Sequence, residues 1–255
     1  MDYTKPETLL WALACAYMTA KETVIDCGYA HEIDWQDNLS YCSLTEHEFL
    51  REAAWVILSS GMREAVIRRR FADISFAFCE WESAQQIVER KDTCRKAALA
   101  HFNNPKKIDS IIEIAVHLVD RGFDDVRRWV WDEGIDYITQ FPFMGPATSY
   151  HFAKNIGLPV AKPDRHLIRI ANVVGYSSPQ SMCQDIAQLI GDKISVVDVV
   201  MWRYATLDKN YLQLFSSAGL RTASNGDTGF CWLEQNELDV IAQLDYAHSS
   251  GHSKP

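Results

Sequence analysis

Hydrophobic positions along this chain recur every three to four residues and almost never every two, the spacing of a helix face rather than of a strand. Leu9, Leu10, Leu13, Tyr17 and Ala20 fall on one face of an N-terminal helix. Thr45 followed by Glu48 forms a capping box ahead of the apolar run that begins at Phe49. Arg63 to Phe78 fits another helix. Asn104-Pro105 opens a helix through Ile108, Ile111, Ile112, Ala115 and Leu118, and Arg121-Gly122 closes it. Phe123 to Trp131 is amphipathic and ends before Gly134. Ser178-Pro179 opens a helix ending near Gly191, and Ser195 is expected to cap the next, with Asp198 at its third position. A polar connector over Ser224–Gly229 precedes a final predicted helix, Trp232–Tyr246, and a disordered tail over 247–255. With no alternating run, no repeat and no linker, the pattern predicts an all-α fold and one domain over 1–246.

The densest information lies between Ile135 and Val174. It reads as helix, tight hairpin, helix, and then a turn that delivers Asp164 to the start of another helix. Phe141-Pro142-Phe143-Met144-Gly145 is too short and too apolar for a flexible loop, and Gly145 is expected to supply the conformational freedom of a sharp reversal. Pro146 suits the first turn of the following helix, where its missing N–H costs nothing. The unpaired N–H groups of such a helix start can hold an anion such as a DNA phosphate.

These residues resemble the helix-hairpin-helix and following Asp of the HhH-GPD superfamily of DNA glycosylases. The family hairpin reads like L-P-G-V-G-x-x-T-A, and a V-D-T-H-V-x-R-like segment carries its catalytic Asp. Pro142, Gly145, Thr148, Pro163, Asp164, His166 and Arg169 stand in matching places, with Phe143 where the first hairpin Gly is usual. Glu48 to Met62 resembles the first core helix and its loop, and Val196 to Tyr204 a late core helix. The resemblance covers the middle of the chain and fits both ends poorly. It implies a two-lobed helical fold with the active site in the interlobe cleft and a helix-hairpin-helix at about 134–157. The implied partner is double-stranded DNA containing a modified base, bound by a monomer.

Asp164 carries the implied chemistry. Loss of a base builds positive charge on the sugar, and a carboxylate stabilises that oxocarbenium and positions water. Read without the resemblance, Asp164 suits a helix N-cap first. Bifunctional relatives carry a Lys where this chain has Ala147, and Ala cannot form the Schiff base of a lyase. The expected enzyme is therefore monofunctional and leaves an abasic site. Phe143, Met144, Gly145, Ala147 and Thr148 of the hairpin, with Lys162 and Arg165, are the expected DNA contacts. Met62 and Arg63 follow the loop Ser59-Ser60-Gly61, where relatives insert a side chain into the base stack; Met62 could equally be core filler. Tyr29, Glu32, Asp34 and Trp35, with Trp202, are candidates for the base pocket, because a flipped base is held by aromatic stacking and edge hydrogen bonds. The bland alternative for that segment is a surface turn with one buried Trp.

Composition narrows the picture. The 255 residues are 47% hydrophobic, ample for a packed core, and no apolar run reaches membrane-span length. No signal-peptide pattern stands at the start, and the seven scattered cysteines suit buried thiols of a cytoplasmic, intracellular protein. Only Cys183 and Cys231 follow Asp164, so no iron–sulfur cluster is expected; the resemblance implies at most a monovalent cation at the hairpin. The net charge of −9 runs against generic nucleic-acid binding. Arg63, Arg68, Arg69 and Arg70, and Lys154, Lys162, Arg165 and Arg169, offer two local basic groups that are either phosphate contacts or solvated helix faces. The substrate stays open between an alkylated or oxidised purine, as in repair, and a hypermodified, for example glucosylated, phage cytosine, as in defence against phage. The rivals are a non-catalytic helix-hairpin-helix DNA-binding module and a helical protein–protein adaptor.

Overall fold

A computed structural model describes residues 7–223, with side chains to 217, and these residues are helical with no strand among them. The predicted elements at 224–246 and the tail at 247–255, with Cys231, lie outside the described residues. In chain order the helices are α1 (Glu7–Val24), α2 (Ala30–Asn38), α3 (Glu46–Ser59), α4 (Glu64–Ala77), α5 (Ala84–Glu89), α6 (Lys91–His101) and α7 (Pro105–Arg121). They continue as α8 (Phe123–Glu133), α9 (Ile135–Ile138), α10 (Pro146–Asn155), α11 (Arg165–Val173), α12 (Pro179–Ile190), α13 (Ile194–Leu207) and α14 (Leu212–Ala223).

Most boundaries have the local chemistry read from the sequence. The Thr45 and Glu48 capping box is formed in both directions at the start of α3. Asn104 caps α7 through the Lys107 N–H, and Ser178 caps α12 through Ser181. One cap differs. Lys193, not Ser195, precedes the first residue of α13, and Ser195 is buried one position inside it. The apolar face of Val196, Val197 and Val200 draws the helix back past the serine.

The chain forms two compact units. One is Asn38–Lys162; the other joins the described residues up to Asp37 with those from Pro163 to 223. In the first, α3 packs against α7, α10 and α4 around Phe49. The Phe49 ring meets Phe152, Phe123 and Phe141 edge-on, at centroid distances of 4.9, 5.9 and 6.0 Å. Gly157 is indispensable here: at φ 90° its Cα faces the Tyr41 backbone, and an added Cβ would lie 2.9 Å from Tyr41 N. In the second unit α1 packs on α12, α13 and α14, and α11 on the same three. Tyr17 is fully buried, and its hydroxyl donates to Asp192, which also takes the Lys21 ammonium at 2.7 Å. The segment around Tyr29, for which a surface turn with one buried Trp was the alternative to a base pocket, is a π-helical turn, Ile25–Tyr29, with Gly28 at φ 87°, running into α2, and its Trp35 is exposed. No helix among the described residues is long and apolar enough to cross a membrane.

Candidate functional site

The hairpin is built within Asn38–Lys162. Gly134 ends α8 at φ 61°, α9 is a single turn, and Phe141 and Met144 drop into the core. The Met144 N–H donates to Phe141 O at 3.2 Å and closes the reversal. The left-handed residue of the turn is not Gly145, which is extended at φ −73° and ψ −176°, but Phe143, at φ 63°. The glycine was expected there because it tolerates positive φ; the chain instead forces an aromatic residue into that region. The Phe143 side chain is 39% exposed at the apex of the turn. Met144 is a core side chain, so only its main chain is available to a ligand.

Beyond the turn, Gly145, Pro146 and Ala147 are exposed and Thr148 is half-buried. The first N–H of α10 that finds a backbone acceptor is Ser149, to Gly145 O at 2.9 Å. The N–H groups of Phe143, Gly145, Ala147 and Thr148 have no hydrogen-bond acceptor among the described residues. The N–H groups of Ala147 and Thr148 belong to the first turn of α10, the positive end of its dipole.

The loop after α3 is held by a residue that sequence reading missed. Lys107, on α7, is buried, and its ammonium donates to Leu58 O at 2.8 Å and Ser60 O at 2.5 Å. It caps the negative end of α3, and burial pushes its pKa down. Gly61 turns at φ 68°, and Met62 emerges 43% exposed, with Arg63 exposed beside it. Met62 is thus not core filler. The signal in the sequence was faint: a Lys in the first turn of an amphipathic helix usually faces water.

The two basic groups divide. Arg68 pairs with Glu64 and lies over the Trp55 ring, Arg69 donates to Ala65 O, and Arg70 to His101 O at 2.7 Å. All three remain exposed. Lys154 is buried instead of lining a surface, and Lys162 is half-buried. His151 lies near both; burial and then these two ammonium groups hold its pKa well below the usual histidine range. Glu52 is also buried, taking Asn155 Nδ2 at 3.1 Å and Arg51 at 2.8 Å; desolvation raises its pKa.

Asp164 is the N-cap of α11. Its Oδ1 accepts from the N–H groups of His166 and Leu167 at 2.8 and 2.9 Å, while Oδ2 accepts from no described residue. The side chain is half-buried, so one carboxylate oxygen fixes the group and the other is unengaged. His166 accepts the Arg165 Nε–H at Nε2, 3.2 Å, and in its neutral form donates from Nδ1 to the Tyr211 hydroxyl at 3.2 Å. Burial lowers its pKa, which keeps that form. His166 is a strut rather than a reactive group.

Of the pocket candidates, three come together. Glu32 makes a bidentate pair with Arg203, through Nε at 2.8 Å and through Nη2. The Arg203 guanidinium also stacks 4.2 Å from the Tyr29 ring centroid and 4.6 Å from that of Trp202. Arg203, which the sequence left between lining the site and plain packing, is the hub. Asp34 and Trp35, also on α2, are exposed. Gln36, one turn beyond Glu32, is fully buried, and neither amide atom finds a partner among the described residues. Among these residues no three His, Cys, Asp or Glu side chains are grouped as metal ligands.

Against models of protein families, curated proteins and solved structures, the chain matches none.

Proposed function

We propose that this chain is a monofunctional DNA glycosylase of the HhH-GPD type. It binds duplex DNA, flips a modified base and hydrolyses its N-glycosidic bond. The observation that carries this reading is the order along the chain. A hairpin whose N–H groups at Phe143, Gly145, Ala147 and Thr148 have no acceptor among the described residues is followed by an Asp that caps a helix through one carboxylate oxygen and leaves the other unengaged.

The donors at Phe143, Gly145, Ala147 and Thr148 suit a phosphate oxygen, which fixes the duplex without reading its sequence. The carbonyls of Pro142, Phe143 and Met144 accept no hydrogen bond from any described residue. Such hard oxygen donors suit a monovalent cation, which would add one positive charge beside that phosphate. Met62 and Arg63 are the exposed side chains available to fill the gap left by a flipped base. Tyr29, Glu32 and Trp202, clamped by Arg203, supply the stacking and edge groups for the extruded base. Asp164 stabilises the oxocarbenium as the base departs and orients the water that replaces it. Ala147 offers no amine, so no Schiff base forms and the strand stays intact. The base is an alkylated or oxidised purine, or a hypermodified phage cytosine.

The test is base release from duplexes carrying alkylated, oxidised, deaminated or glucosylated-hydroxymethylated bases, read as strand breaks after alkali. Breaks that need alkali are expected from one substrate. Breaks without alkali would overturn the monofunctional assignment. One observation favours a second reading, a non-catalytic DNA-binding module: the two bonds to Asp164 Oδ1 are those of an ordinary cap. That module binds duplex DNA and releases nothing.

A further inference from the structure

A second surface of the unit Asn38–Lys162 has the composition of a ligand site. One face of α8 carries Asp124, Arg127, Arg128 and Trp131, spaced as successive turns of a helix, and the opposite face carries the fully buried Val126 and Val130. Against the polar face lies the short turn Tyr41–Ser43. Between them is an open groove of about 330 Å³ lined by these four residues with Tyr41 and Cys42. That volume is at the lower end of the range for small-molecule sites.

The groove is held in place. The buried Tyr41 donates its hydroxyl to Arg127 O at 2.7 Å, and Arg127 Nη1 returns a bond to Cys42 O at 3.1 Å. Trp131 leans on Tyr41 at 5.3 Å between centroids, yet is 54% exposed. An indole braced on one side and open on the other is a stacking platform for a planar ring. The rim carries both signs. Arg127 and Arg128 present guanidinium groups whose carboxylate partners, Asp124 and Asp125, are surface ion pairs at 3.3 and 2.6 Å. Pairs of that kind are worth little and yield readily to a better ligand. A simple anion would use only the arginines and meet the aspartates as repulsion. A ligand with an aromatic ring, an anionic group and an amino donor uses all of them.

We infer that this groove binds one nucleotide unit. The base stacks on Trp131, the phosphate lies on the Arg127 and Arg128 guanidinium groups, and a base amino group donates to Asp124. The inference stands on the groove alone and does not need the glycosylase chemistry. The nucleotide comes either free or as part of a single strand.

Cys42 provides a reporter in the groove wall, and Cys27, exposed on the other unit, an internal control. The full chain is alkylated with iodoacetamide, and the rate at each cysteine is read by peptide mass spectrometry. The titrants are dCMP, dTMP or a 5′-phosphorylated oligo-dC. Protection of Cys42 but not Cys27 is expected, with dCMP protecting at lower concentration than dTMP. In Trp131→Ala the half-protecting concentration should rise about tenfold. Trp131 is largely outside the core, so that variant should fold; Arg128→Ala, at a side chain 63% exposed, is a second and milder probe expected to act in the same direction. Protection by dCMP identifies free nucleotide as the ligand; protection by the oligonucleotide alone identifies a single strand. No protection of Cys42 at millimolar titrant, or protection unchanged in both variants, would overturn the inference. So would a tyrosine-sulfated or acidic aromatic peptide protecting Cys42 where both nucleotide forms fail.

Discussion

At the scale of single residues, Phe143 poses the sharpest question. A bulky residue in the left-handed region costs roughly 1–2 kcal/mol relative to glycine, and Phe143 holds φ 63° at the apex of the hairpin. Its side chain is too exposed for burial to offset much of that cost. Phe143→Gly is therefore expected to raise the thermal midpoint, by the equivalent of about 1 kcal/mol. If the exposed ring contacts DNA, as the glycosylase reading holds, the same variant should bind duplex more weakly. A variant that is both less stable and unchanged in affinity would contradict both statements. The sequence identified Phe143 as the departure from the family hairpin but assigned the unusual backbone to Gly145. Residue type points to glycine first, whereas the packing of Phe141 and Met144 into the core decides which residue must turn.

At the scale of elements, the loop between α3 and α4 depends on a side chain from α7. Removing the Lys107 ammonium leaves the carbonyls of Leu58 and Ser60 without their buried donor. Lys107→Met is expected to destabilise the protein by about 1–3 kcal/mol and to speed proteolysis between Ser59 and Arg63. Limited proteolysis with mass mapping reads this directly, and cleavage there at the unmodified rate would mean that the loop is held by other contacts. The helix starts at Thr45, Asn104 and Ser178 were legible because a cap is local: side chain and N–H lie within three residues. Lys107 with Leu58, Glu52 with Asn155 and Glu32 with Arg203 join residues far apart in the chain. Periodicity carries no information about such pairs, which is why the partners of Arg203 and Lys107 were not legible while the Asp164 cap, a local feature, was.

At the scale of the whole molecule, a net charge of −9 means that the DNA binding we propose would rest on a few placed donors rather than a broad field. The pH response follows from groups kept neutral by burial. The folded-state pKa of His151 is depressed well below the usual histidine value, whereas the unfolded chain takes up its proton near pH 6.5. Its contribution to stability is complete above that pH and is lost as pH falls through about 6.5 toward the folded value. The midpoint should drop between pH 7.5 and 5.5, and drop less in His151→Gln. Equal drops in the two proteins would remove His151 as the cause. The helical class was readable because period and caps agree along most of the chain. The resemblance implied two lobes, but the bounds at Asp37 and Pro163 were not legible, since no change in composition marks them.

The central claim is that Asp164 does more than cap α11, and Asp164→Asn isolates it. Asparagine caps a helix about as well as aspartate, so fold and duplex affinity should be preserved. Base release by the two proteins is compared under single-turnover conditions on whichever duplex the native chain processes. The expected result is an unchanged thermal midpoint with release slowed by at least about a hundredfold. Release at the native rate from Asp164→Asn, or none from any modified duplex that the native chain binds, would contradict the account and leave Asp164 a cap.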